Sequence, residues 1–193
     1  MNFDLNKLTN ANPMDILDES QRSQLSEIFN DALMNDWMYD ANDNTVKLLV
    51  KMINKSNNPD PIYQKEGDSG FDLAAFIPED ITLKPLERQL IPTGLFYQIP
   101  LGLELQIRPR SGLALKNGVT VLNTPGTVDA GYRGEIKVLL INLSNQDFTI
   151  KSGDRIAQGV IAPVQSKHTT LFRRVDELDS SERGTGAFGS TGV

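Results

Sequence analysis

The chain has 193 residues, a net charge of −6 and no cysteine. That length suits one medium domain with an appendage, and the missing thiols exclude disulfides, thiolate nucleophiles and thiolate metal sites while suiting a reducing compartment. No apolar run nears the ~18 residues that span a bilayer, and the N-terminus shows no basic apolar leader, so a soluble cytoplasmic protein without membrane contact is expected.

Leu25, Ile28, Phe29, Ala32 and Leu33 recur at helical spacing, which predicts an amphipathic helix within residues 15–35, capped by Ser20 or Ser23. Residues 1–45 hold nine acids against two bases, whereas the remainder holds sixteen acids against seventeen bases. The acidity therefore belongs to an N-terminal helical extension, residues 1–45. Its apolar stripe either packs on the body or a neighbouring subunit, or meets an unknown protein partner. No Lys/Arg cluster with interleaved aromatics marks a nucleic-acid face, so no polynucleotide partner is expected.

From residue 46 the pattern changes to short apolar runs broken by Pro and Gly. They fall at 46–53, 71–77, 88–91, 95–99, 103–107, 119–122, 136–143, 148–150 and 155–164. Strands at this spacing predict a mainly β body, a barrel or sandwich over residues 46–178. The Ser/Gly-rich tail, 179–193, reads as flexible.

Five segments carry chemistry-bearing residues. Asp68-Ser-Gly-Phe-Asp-Leu-Ala-Ala75 sets Asp72 inside an apolar strand, either as a satisfied structural carboxylate or as part of a metal shell. Arg108-Pro-Arg-Ser-Gly-Leu-Ala114 can present the Arg110 guanidinium, the Ser111 hydroxyl and the amides around Gly112 to a phosphate. Asn123-Thr-Pro-Gly-Thr-Val-Asp-Ala-Gly-Tyr-Arg-Gly-Glu135 reads as a hairpin between two strands. There Gly126, Gly131 and Gly134 permit positive φ and close approach to a planar base, with Tyr132 against a sugar and Asp129 facing a water. Gly153-Asp-Arg-Ile-Ala-Gln-Gly159 is a turn entering a strand, with Arg155 and Gln158 as polar candidates. Last comes Arg183-Gly-Thr-Gly-Ala-Phe-Gly-Ser-Thr-Gly-Val193. Its glycines fail as a dinucleotide fingerprint, because no strand precedes them and too little chain follows. A segment with one Arg, several hydroxyls and one Phe does suit closure over a phosphorylated aromatic ligand.

The chain has one histidine, His168, in a polar stretch that reads as a solvated loop. Nucleophilic triads and zinc sites therefore have little to build on. An enzyme of this composition would use a carboxylate base and a hard, oxygen-loving metal such as Mg²⁺.

In this order, the five segments resemble the five motifs of the trimeric dUTPase family, over about three quarters of the chain. The resemblance implies a jelly-roll β-barrel, a homotrimer with active sites shared between subunits, and Mg²⁺-assisted hydrolysis of dUTP to dUMP and pyrophosphate. It implies that Asp129 activates the attacking water and that Tyr132 packs on the deoxyribose, excluding a ribose 2′-hydroxyl. Asn123 and the backbone near Gly126 would read uracil's edge. Arg110, Ser111, Gly112 and Gln158 would contact phosphates. Asp72 would join the Mg²⁺ shell through water, the triphosphate holding most of the metal. In the tail, Arg183, Ser190 and Thr191 would contact the γ-phosphate, while Phe188 and Gly189 would cap the uracil. Ala187 departs from the family's usual glycine, and its methyl is expected to stiffen lid closure. The related dCTP deaminases share the fold and a similar hairpin, but need a glutamate beyond it. The strand at 136–141 has no carboxylate, and Glu135 sits too close to the turn.

Overall fold

The computed structural model describes residues 37–40, 45–165, 167 and 169–187. The expected helix at 15–35, His168, and Phe188, Gly189, Ser190 and Thr191 lie outside the described residues. In chain order the strands are β1 (Trp37–Asp40), β2 (Thr45–Leu48), β3 (Lys51–Asn54), β4 (Phe71–Ala74), β5 (Ile81–Leu83) and β6 (Arg88–Gln98). There follow β7 (Leu103–Arg108), the helix α1 (Ser111–Asn117), β8 (Val119–Val121), β9 (Gly126–Asp129), β10 (Glu135–Asn142), β11 (Phe148–Ile150) and β12 (Arg155–Pro163).

Alternation of apolar and polar residues decides which side of each strand turns inward. In β7, Leu105 and Ile107 are buried, while Glu104, Gln106 and Arg108 stay partly exposed on the opposite face. In β10 the buried set is Ile136, Val138, Leu140 and the polar Asn142. Two antiparallel four-stranded sheets, ordered β3-β6-β10-β8 and β4-β12-β7-β9, close over one apolar cluster that includes Leu73, Ile91, Leu105, Val138 and Leu140. Each such side chain contributes about 1.5–3 kcal/mol by leaving water. A two-stranded sheet of β5 and β11 and a β1–β2 hairpin complete the expected mainly β, jelly-roll architecture.

Several elements differ from the expectation. The runs at 88–91 and 95–99 form one strand, β6, which carries Pro92, Thr93 and Gly94 through a register shift against β10. The single run expected at 46–53 is two strands, β2 and β3. Strand β5 was not anticipated; it is only three residues long and is completed by β11. Helix α1 was not anticipated either, because none of its residues is buried and it has no apolar stripe. It starts after Pro109 and ends at Gly118, whose φ of +64° and 2.9 Å approach to the Ser144 Cβ exclude a side chain.

Candidate active site

Three segments meet at one end of the second sheet. The register sets Gln158 of β12 beside Asp72 of β4 on one side and Arg108 of β7 on the other. Asp72 is mostly covered, and each of its oxygens takes a guanidinium: Arg110 Nε donates to Oδ1 at 2.8 Å and Arg155 Nη1 to Oδ2 at 3.1 Å. Arg110 Nη1 also donates to the Arg155 carbonyl at 2.9 Å, so the two cations are fixed relative to each other. Gln158 Nε2 donates to the Pro109 carbonyl at 3.0 Å, which ties β12 to the turn that delivers Arg110. Ser111 and Gly112 stand exposed in the first turn of α1, which has no side-chain cap. Two guanidiniums on one carboxylate leave a net positive corner, suited to an anion with several oxygens. Arg155 belongs to this corner, and the signal for it was its place in a turn leading into β12.

The segment from Asn123 to Glu135 is not a simple hairpin. Its flanks do pair, with Leu140 opposite Val121 and Asn142 opposite Val119. Between them the chain crosses to the other sheet as β9, which pairs with β7. Consequently β9 is an edge strand, with no described strand paired to its second side, and residues of β9 and β10 line a common depression. It measures about 270 Å³ and is lined by Thr127, Asp129, Tyr132, Lys137 and Leu90. Unpaired backbone donors and acceptors beside a slot of this size can read the edge of a planar base.

The glycines here do not act through positive φ, since none of Gly126, Gly131 and Gly134 is among the positive-φ positions. Gly126 and Gly134 act through close approach, whereas a Cβ on Gly131 would meet nothing within 4 Å. A Cβ on Gly126 would come within 3.2 Å of Asn123 Nδ2 and of the Ile107 side chain. A Cβ on Gly134 would fall on the Tyr132 phenol, which lies back over this backbone and donates from its hydroxyl to the Glu135 carbonyl at 3.1 Å. Asp129 ends β9, exposed, and its backbone carbonyl accepts from Tyr132 N at 3.0 Å, closing the turn.

Asp129 is not beside Asp72. It stands opposite Glu104, whereas Arg108 is opposite Gln158. Those positions are four residues apart on β7, about 13 Å of strand. Arg183 is apart from both: its Nε donates to the Gly186 carbonyl at 3.1 Å, within its own exposed turn. One chain therefore holds three separate pieces of the predicted site. Among the described residues, no group of three or more His, Asp or Glu could hold a metal ion.

Comparison with known proteins decides what these pieces belong to. The dUTPase family model matches residues 56–192. A deoxyuridine 5′-triphosphate nucleotidohydrolase of Cytophaga hutchinsonii is 62% identical over 143 residues, covering 74% of this chain and 91% of the relative.

The chain belongs to the dUTPase family.

A Finegoldia magna dUTPase is 54% identical over 145 residues, covering 75% of this chain and 99% of the relative. Among solved structures, Staphylococcus bacteriophage 80alpha dUTPase with dUPNHPP superposes with a TM-score of 0.66 at 26% identity, covering 75% of this chain and 98% of that one. The jelly roll is thus the dUTPase fold, and family members are generally metal-dependent. Residues 1–55 precede the region that the family model matches. The deaminase alternative loses its acid: Glu135 Oε1 accepts from the Gly94 amide at 2.9 Å, and Oε2 lies 3.6 Å from Lys137 Nζ. No helix among the described residues is long and apolar enough to cross a membrane.

Proposed function

We propose that this chain hydrolyses dUTP to dUMP and pyrophosphate by attack of water on the α-phosphate, in the cytoplasm, limiting uracil incorporation into DNA and supplying dUMP. The slot between β9 and β10 carries this proposal, because it joins unpaired backbone, a tyrosine and an exposed carboxylate in one concavity. Asn123 and the backbone at Gly126 hold the uracil edge. Tyr132 packs on the deoxyribose, and its ring leaves no room for a 2′-hydroxyl. Asp129 takes a proton from the water, which is the work of a positioned carboxylate.

At the other end of the sheet, Arg110, Ser111, Gly112 and Gln158 receive the triphosphate, with Asp72 fixing the direction of Arg110 and Arg155. Mg²⁺ on the triphosphate oxygens would supply charge neutralisation there, and Asp72 fits contact through water because both its oxygens are already paired. Arg183, Ser190 and Thr191 close on the γ-phosphate, and Phe188 with Gly189 covers the base. The chain divides accordingly into an extension (1–45), the catalytic body (46–178) and a lid (179–193).

The 13 Å between Asp129 and the phosphate corner supports a homotrimer in which each site takes Asp129 from one subunit and Asp72, Arg110 and Gln158 from another. The C-terminal arm supports it too: Leu171, Phe172 and Leu178 are 91%, 93% and 88% exposed, an arrangement that asks for cover from a second copy.

The test is pyrophosphate release from dUTP with Mg²⁺, beside dCTP, dTTP and UTP and repeated with excess chelator. Release from dUTP alone, lost on chelation, is the expected result. Ammonia from dCTP, or equal release from all four nucleotides, would refute it.

A further inference from the structure

Tyr132 can exclude a 2′-hydroxyl only if its ring does not yield, yet it is 46% exposed and projects from a turn. Its hydroxyl is anchored to the main chain of Glu135, through the 3.1 Å bond to that residue's carbonyl. What holds Glu135 is therefore what holds the ring.

Glu135 sits where the register between β10 and β6 breaks: it is opposite Phe96, whereas Lys137 is opposite Pro92. The extra residues on β6 leave the Gly94 amide outside the ladder, and the Glu135 carboxylate takes it at 2.9 Å. Gly94 is itself hemmed in. Its φ is +71°, a Cβ there would lie 2.9 Å from Ser56, and its carbonyl accepts from Lys55 N at 2.8 Å. Buried Thr93 adds a second tie, from Oγ1 to the Ile136 carbonyl at 2.6 Å. The chain of contacts runs from a hemmed-in glycine, through the Glu135 side chain to its backbone, and on to the tyrosine.

We infer that Glu135 is a positioning residue that sets the discrimination of dUTP from UTP, by clamping the backbone on which Tyr132 rests. The inference depends on the role of Tyr132 proposed above. A carboxylate receiving a backbone N–H is a charge-assisted bond, stronger than a neutral one. With it gone, the pairing opposite Phe96 and the Thr93 tie still hold the strand, but the bond at the register break is lost and the loosened backbone under Tyr132 lets the ring tilt away from an incoming 2′-hydroxyl. dUTP loses part of the ring's packing on its deoxyribose but has no hydroxyl to clash with it, so the change falls mainly on UTP.

The experiment compares kcat/KM for dUTP and UTP in Glu135→Ala, Glu135→Gln, Tyr132→Phe and Tyr132→Ala. The expected result is a dUTP/UTP ratio lowered about tenfold in Glu135→Ala, the size of one such bond, mainly through faster use of UTP. Glu135→Gln keeps an acceptor oxygen and restores most of the ratio. Tyr132→Phe keeps the ring and the clamp but cuts the link between them, so it lowers the ratio like Glu135→Ala and serves if that variant fails to fold. An unchanged ratio in Glu135→Ala or Tyr132→Phe beside a collapsed one in Tyr132→Ala would overturn the clamp and leave the tyrosine's role standing. An unchanged ratio in Tyr132→Ala would overturn both.

Discussion

Mixing two dead variants gives the sharpest test of how the site is built. Asp129→Asn removes the base at one end of β7, and Arg110→Gln removes a phosphate contact beyond the other, about 13 Å of strand away. Each homotrimer should retain below about 1% of normal turnover, since losing either a general base or a preorganised cation costs on the order of 10²-fold or more. After unfolding and refolding together in equal amounts, subunits assort at random. A site at an interface is intact when its Arg110 comes from the Asp129→Asn chain and its Asp129 from the Arg110→Gln chain. Each condition holds in half the cases, so about one quarter of wild-type dUTP hydrolysis should return, provided subunits associate as a closed ring. If both residues served the same site within one chain, no mixed trimer could hold an intact site. Activity that stays at the level of the parents, with mixed trimers verified by native mass spectrometry, would refute the shared site.

Two further predictions concern single pieces. Asp129→Asn should fold and bind dUTP yet turn it over about 10²–10⁴-fold more slowly, as measured by calorimetry beside pyrophosphate release, and a near-normal rate would remove Asp129 from its role. Deleting 183–193 should leave the oligomer intact by light scattering and abolish efficient hydrolysis, and normal turnover by the truncated chain would refute the lid.

How much of this was legible in the sequence depends on whether burial left a pattern. Strand β11 stands where its apolar run predicted, and β7 and β12 differ from prediction by one residue at one end, because their apolar runs, alternating in β7 and nearly continuous in β12, are the stretches the core buries. Helix α1 buries nothing, so no stripe announces it, although Pro109 before it and Gly118 after it were signals available. The break read at Pro92–Gly94 was a correct sign of irregular backbone assigned to the wrong cause: a register shift inside one strand. Strand β9 was hidden for a related reason. Only four residues long, it lies between two mutually paired strands and takes its partner from the other sheet. The identities of Asp72, Arg110, Asp129, Tyr132 and Gln158 were readable as polar residues among turn formers and strands. Arg155's hold on Asp72 was not, because the contact joins residues 83 positions apart.

The separation of the pieces also explains why the arm should matter to both assembly and chemistry. Leu171, Phe172 and Leu178 expose most of their surface, and covering each is worth about 1.5–3 kcal/mol. In the trimer proposed above, a second copy would gain that by receiving the arm, residues 171–183, and would receive Arg183 with it. Among the described residues of the single chain, the Arg183 side chain bonds within its own turn, to the Gly186 carbonyl. In that assembly the apolar residues would provide the binding energy and Arg183 the charge. They occupy one continuous segment, so an arm docked through residues 171–178 would present the Arg183 guanidinium to the copy that receives it. Substitutions of the apolar residues at 171, 172 and 178 should therefore shift the assembly equilibrium, whereas changes at 183 should alter turnover.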